Sequence, residues 1–248
     1  MRLADFDTLT FDCYGTLIDW ETGIAAALKP LAARTGRAID AEERVAAFGR
    51  HEHEEQARSP GALYPEILAE VHASIAREWG VAPDPALARA FGGSVPDWRA
   101  VTTSGEALRN LKGQFRLGVL SDGHRDGFAA SNERLEVEFD AVYTAQDIGS
   151  YKPDPRNFHY MLKCLERDFG VTRGGIVHTA ESLFHDCTTA RSLDLATAWI
   201  HRRAAVGGFG ATQVVEEPPE VDFHFTSLEE MAAAHRDEIA GAAQAHGR

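Results

Sequence analysis

The chain has 248 residues, 44% hydrophobic and 25% charged, enough for a buried core in one large domain or in a core with a smaller inserted one. With 25 Lys and Arg against 38 Asp and Glu, the formal charge of -13 repels phosphate backbones, so nucleic acid is not an expected partner, whereas a small anion remains open to a local cluster of donors. No run is apolar and long enough for a membrane span, Asp5 comes too early for a signal peptide, and Cys13, Cys164 and Cys187 form no Cys-x-x-Cys pair, so a cytoplasmic protein with neither zinc site nor disulfide framework is expected.

Thr8-Leu9-Thr10-Phe11 is short and β-prone and predicts a strand, which ends in Asp12 and a glycine-containing turn. Residues 21–98 then show helical patterning without a convincing strand. Leu63, Ile67, Leu68, Val71, Ile75 and Trp79 share one helical face, with Pro65 near its start. Beyond Trp98 the pattern alternates. Thr103 and Glu106 have capping-box spacing ahead of a helix bearing Leu108 and Leu111. Residues 115–120 predict a strand, 126–135 contain a helix, and 139–144 predict another strand. Phe158, Met161, Leu162, Leu165 and Phe169 form an amphipathic helix. Residues 175–179 and 196–200 are expected strands with a helix between them, 223–225 a short last strand, and Ser227 with Glu230 a second capping pair.

Such alternation predicts an α/β fold, a parallel sheet wrapped by helices, with the C-terminal strand ends brought to one edge where ligands bind. The residues at those ends are chemically pointed: Asp12 after the first strand, Ser121 and Asp122 after the second, Lys152 beyond the third, Glu181 and Asp186 after the fourth. A carboxylate can attack carbon or phosphorus and form a covalent intermediate. Lys152 would keep Asp12 ionised, and Thr16 and Ser121 can donate hydrogen bonds to substrate or nucleophile.

Four segments, in order, resemble the signatures of the haloacid dehalogenase superfamily: Phe11-Asp12-Cys13-Tyr14-Gly15-Thr16, Val119-Leu120-Ser121-Asp122, Lys152-Pro153-Asp154-Pro155, and Ala180-Glu181-Ser182-Leu183-Phe184-His185-Asp186. The resemblance implies a Rossmann-like core over 1–17 and 99–248, an all-helical cap domain inserted over 18–98, and Asp12 as the covalent nucleophile. Phosphatases of the superfamily carry a second Asp where this chain has Tyr14, and Asp-x-Tyr-Gly-Thr instead resembles the type II 2-haloacid dehalogenases. That branch implies a small carboxylate substrate, an Asp12 ester, no metal or other cofactor, a cap arginine (here Arg50) closing over the leaving halide, and a homodimer by analogy. Trp20 is expected to line a small apolar pocket or to pack cap on core. His51 and His53, two apart, share no helical face and predict no metal site.

Three positions depart from the branch. Asp122 replaces an Asn that faces the halide, Glu181 and Leu183 replace a Ser-x-Asn pair, and Phe158 stands where a Tyr is common, with an apolar helix face as its own reason to be there. An anionic Asp122 repels a halide and suits an amine, so hydrolytic opening of a strained cyclic amino acid such as azetidine-2-carboxylate stands close behind dehalogenation. Asp186 first and Glu181 second are the candidates to position or activate water, and either could instead pair with Lys152. A third reading is a Mg²⁺-dependent phosphohydrolase, with Asp12, the Tyr14 carbonyl and Asp186 as oxygen ligands. Cys13, pointing to the other side of the strand from Asp12, is expected as core packing.

Overall fold

In the computed structural model, residues 1–205, 207–208 and 210–246 are described. Strand β1 (Thr8–Phe11) is buried along its whole length, as a central strand of a covered sheet must be. A two-residue strand β2 (Ile18–Asp19) leads into five helices: α1 (Trp20–Ala27), α2 (Lys29–Arg34), α3 (Ala41–Arg58), α4 (Tyr64–Glu78) and α5 (Pro85–Gly92). The chain returns through β3 (Arg99–Ala100), which pairs antiparallel with β2, so the helical insertion leaves and rejoins the body through one narrow ribbon. Asp19, Asp40 and Asp84 accept hydrogen bonds from first-turn backbone N–H groups and so fix the starts of α1, α3 and α5.

The remainder alternates: α6 (Ser104–Lys112), β4 (Arg116–Ser121), α7 (Arg125–Leu135), β5 (Ala141–Thr144), α8 (Ala145–Ile148), α9 (Pro155–Phe169), β6 (Ile176–Ala180), a π-helical turn (Leu183–Cys187) running into α10 (Thr188–Ser192), β7 (Ala196–Ile200), β8 (Phe223–Phe225) and α11 (Leu228–His246). Six of the strands form one parallel sheet in the order β5-β4-β1-β6-β7-β8. This is the α/β architecture expected from the sequence. The order diverges at β1, with β4 on one side and β6 on the other, so the C-terminal end of β1 lies at the switch point where a crevice opens between crossovers.

Differences from the sequence expectation are local. Thr103 precedes α6 with helical backbone angles, and its side chain makes no capping bond. Ser227 does cap α11 through the Glu230 N–H at 3.1 Å, but the Glu230 carboxylate reaches back to Thr226 instead. Leu63 is exposed at the head of α4, while Ile67, Leu68, Val71 and Ile75 are buried. No described helix is long and apolar enough to cross a membrane.

Candidate active site

Asp12 continues β1 by one residue, its N–H donating to Thr179 O at 3.0 Å, so its side chain is carried to the sheet edge by the central strand. A tight turn follows. Leu17 and Ile18 N–H groups both donate to Cys13 O, and Gly15 takes φ +98, a left-handed conformation that strains any side chain. The turn brings the Thr16 hydroxyl back onto Asp12 Oδ2 at 2.7 Å, and the Glu181 N–H donates to Thr16 in turn at 2.9 Å. The loop between α8 and α9 supplies Lys152, whose ammonium donates to Asp12 Oδ1 at 2.8 Å, Asp186 Oδ1 at 2.7 Å and Leu120 O at 3.2 Å. The Lys152 N–H donates to Asp122 Oδ1 at 2.8 Å, tying that loop to the end of β4.

One ammonium thus bridges two carboxylates with almost no solvent between them. Burial alone would lower the lysine, but the attraction of Asp12 and Asp186 outweighs it and raises its pKa. Burial pushes the Asp12 carboxyl above its ordinary range, with Lys152 opposing and Asp186 reinforcing. Asp186 is also desolvated, yet Lys152 and His178 hold it at about 2. The acids around this pair go the other way: burial raises Asp122 to about 7, Glu181 to about 7 and Glu52 to about 8.

These groups line a cavity of about 30 Å³ together with Tyr14, Trp20, Gln56, Tyr64, Ser182 and His185, room for roughly one water. Of the sequence-derived candidates, Asp12, Tyr14, Trp20, Asp122, Lys152, Glu181 and Asp186 reach it. Trp20 lines the cavity and packs edge-on against Phe48 of α3, a contact within the insertion itself. Thr16 acts through Asp12. Ser121 turns inward to accept from the Gly123 N–H at 3.0 Å and does not line the cavity. Glu181 accepts from Thr212 at 2.9 Å and is not the partner of Lys152; Asp186 is.

Arg50 is placed elsewhere. Its guanidinium donates to Glu78 of α4 at 2.5 Å with a side chain 54% exposed, and among the described residues no arginine lines the cavity. The buried face of α3 carries Phe48, Glu52 and Gln56, one turn apart, whereas residue 50 lies about 200° around the helix from residue 48. With Trp20, the insertion therefore contributes Glu52, Gln56 and Tyr64 to the cavity, and the sequence reading missed these last three. The Tyr64 hydroxyl donates to Glu52 Oε1 at 2.6 Å, and Gln56 Oε1 is buried without a partner. The missed signal was a polar pair at helical spacing on the same face as buried Val45 and Phe48.

The Lys152 ammonium bonds Oδ1 of both Asp12 and Asp186 and leaves Asp186 Oδ2 buried without a partner, and the position of a phosphatase's second acid holds the Tyr14 ring, packed against Tyr64 and Trp98. Asp12, the Tyr14 carbonyl and Asp186 are the oxygens that a magnesium ion would use. Among the described residues no group of three or more His, Cys, Asp or Glu is arranged to hold a metal ion. His51 bonds to Glu78, and His53 packs on Phe184. Cys13 and Phe158 are fully buried in the packing roles expected of them.

The core is a parallel sheet whose central strand ends in a lysine-bridged carboxylate, and residues 6–173 match the family model of haloacid dehalogenase-like hydrolases: the chain belongs to that family of hydrolases. Its fold is similar to that of a defluorinating L-2-haloacid dehalogenase, with 24% identity, 93% of this chain and 95% of that chain covered and a TM-score of 0.75. An L-2-haloacid dehalogenase from Xanthobacter autotrophicus gives 19% identity, 94% and 99% coverage and a TM-score of 0.75. A magnesium-bound hydrolase of the same superfamily from Bacillus subtilis gives 18% identity, 95% and 100% coverage and a TM-score of 0.72. No curated protein sequence matches the chain.

Proposed function

We propose that this protein hydrolyses a small 2-substituted carboxylic acid by displacement at the carbon beside the carboxylate, through an ester on Asp12. The supporting observation is the Asp12 carboxylate itself: buried, lining the cavity, one oxygen on Lys152 and the other on Thr16. Desolvation makes a carboxylate a better nucleophile once ionised, and the Lys152 ammonium opposes the upward shift that burial imposes on Asp12. Asp12 attacks the carbon, the bond to the leaving group breaks, and the electron pair departs with that group. Water then attacks the ester carbonyl carbon. The hydroxy acid leaves, and Asp12 is restored with one oxygen from water. Glu181, near 7, is the better base for the water proton, while Asp186 at about 2 is suited to orienting the water and not to taking its proton. The cavity of about 30 Å³ is smaller than such an acid, so binding requires it to widen.

The leaving group that suits this cavity best is an amine, as in opening a strained cyclic amino acid. Glu52 and Asp122 line the cavity where no guanidinium does, and a carboxyl near 8 carries a proton at neutral pH to give to a departing nitrogen. A halide is the second reading. It is favoured by the similarity to L-2-haloacid dehalogenases, one of them with chloropropionic acid covalently bound, and protonated carboxyls could donate to the ion. Incubation with azetidine-2-carboxylate, L-2-chloropropionate and p-nitrophenyl phosphate separates the readings. The expected result is hydrolysis of one of the first two, and a single turnover in oxygen-18 water placing unlabelled oxygen from Asp12 in the product. Turnover surviving Asp12→Asn, or phosphate ester cleavage alone, overturns the proposal.

A further inference from the structure

Beneath Asp186 lies a buried polar chain that none of the chemistry above requires. Thr10 of β1 and His178 of β6 are register partners in adjacent parallel strands, both with 0% exposure. Thr10 Oγ1 and His178 Nδ1 are 2.9 Å apart, and His178 Nε2 is 2.9 Å from Asp186 Oδ1. A carboxylate oxygen only accepts, so Nε2 carries the hydrogen, and Nδ1 shares a hydrogen bond with the Thr10 hydroxyl. Asp186 itself sits in the π-helical turn after β6, and such wide turns re-aim single side chains.

The two oxygens of Asp186 are treated unequally. Oδ1 takes both the Lys152 ammonium, at 2.7 Å, and the His178 N–H, while Oδ2 is buried without a hydrogen-bond partner. A buried carboxylate oxygen left unpaired costs free energy unless something in the adjoining cavity donates to it. Asp186 lines the reaction cavity, which has the volume of roughly one water. An interior filling role would be met by an apolar side chain, as Phe158 shows by packing against the His178 ring at 4.9 Å between centroids.

We propose that His178 is a positioning residue for the hydrolytic half-reaction, fixing the Asp186 carboxylate so that Oδ2 faces the cavity and accepts a hydrogen from the attacking water. This rests on the Asp12 ester reading. The water oxygen bonds to the Asp12 carbonyl carbon, the bond from that carbon to the bridging oxygen that Asp12 supplied breaks with its electron pair going to the product, that oxygen takes one water proton, and Glu181 takes the other. Asp186 stays an anion throughout, and Lys152 stays on Asp12.

The test is single-turnover kinetics with intact-mass detection of the Asp12 adduct, using azetidine-2-carboxylate or L-2-chloropropionate, whichever the native enzyme consumes. In His178→Leu the adduct should form at near the native rate and disappear on the order of tenfold to a hundredfold more slowly, so that it accumulates. His178→Gln, whose amide N–H can reach the same oxygen, should restore most of the loss. Thr10→Val, which keeps the core shape, should slow the same half-reaction by a smaller factor, and serves if His178→Leu does not fold. Native rates in both variants, or equal slowing of adduct formation and decay, overturn the proposal. Absence of any adduct in the native enzyme is a different failure, that of the ester reading.

Discussion

The Lys152 ammonium stands 2.8 Å from Asp12 Oδ1, with the lysine side chain 1% exposed and the aspartate 9%. Because the same ammonium also serves Asp186, one cation neutralises two buried carboxylates. Removing it leaves both unpaired in a low-dielectric site, where breaking a buried pair costs about 3–5 kcal/mol. Lys152→Met should therefore lose roughly 10²- to 10³-fold in turnover and several kcal/mol in urea-induced unfolding. Lys152→Arg should not rescue activity, since a planar fork cannot replace a point donor held by three acceptors. A Met variant with native stability would show that the bridge is not what holds the site together.

Arg50 and Glu52 are two residues apart on α3 and face different surroundings. Arg50 is paired with Glu78 in an exposed position, an interaction worth less than about 1 kcal/mol. Arg50→Ala should change kcat/KM by less than about twofold. Glu52→Gln should cut turnover of a ring amine by on the order of tenfold or more, since an amide cannot give up the proton that the carboxyl holds at neutral pH. The reverse pattern, with Arg50 essential and Glu52 dispensable, would restore the halide-binding arginine and sink the amine reading.

The strand ends were legible because each of them interrupts an apolar run at one sheet edge: Asp12, Asp122 and Glu181 needed only the parallel-sheet rule to be brought together. What the insertion contributes was not legible by resemblance, because the inward face of a helix is a matter of phase. Counting from Val45 and Phe48 would have turned Glu52 inward and Arg50 outward. His178 was hidden for a different reason. It sits inside a strand, one layer below the chemistry, where only the register with Thr10 reveals that it touches Asp186.

Glu181 offers a pH test of the hydrolytic step. Burial places it at about 7, so the ionised base is scarce at pH 6 and abundant at pH 8. Decay of the Asp12 adduct should therefore speed up as pH rises through about 7, by roughly tenfold for a single base well below its pKa. Glu181→Gln should flatten that rise and slow decay at pH 8. A decay rate independent of pH between 6 and 8 in the native enzyme would remove Glu181 from the step.

The same buried acids set the stability profile. Glu52 is raised from an ordinary 4.5 to about 8, Asp122 from 3.8 to about 7 and Glu181 from 4.5 to about 7, all chiefly by burial. Each therefore binds its proton more tightly folded than unfolded. The stability this gives is fully present below the unfolded values and is lost as pH rises through 7 to 8. Asp186 works oppositely, contributing stability above 3.8 that disappears only as pH falls through about 2, so it is silent in this window. Buried His185, lowered from 6.5 to about 4, adds stability with rising pH, but that gain is complete by about 6.5. Between pH 6.5 and 8.5 the raised carboxyls dominate, and thermal unfolding should come at least about 4 °C lower at the higher pH. Glu52→Gln, an uncharged near-isostere, should recover about half of that drop, because Glu52 titrates over more of the window than the other two. A native Tm that is flat or rises from pH 6.5 to 8.5 would mean that water reaches these carboxyls, and that the cavity they line is open.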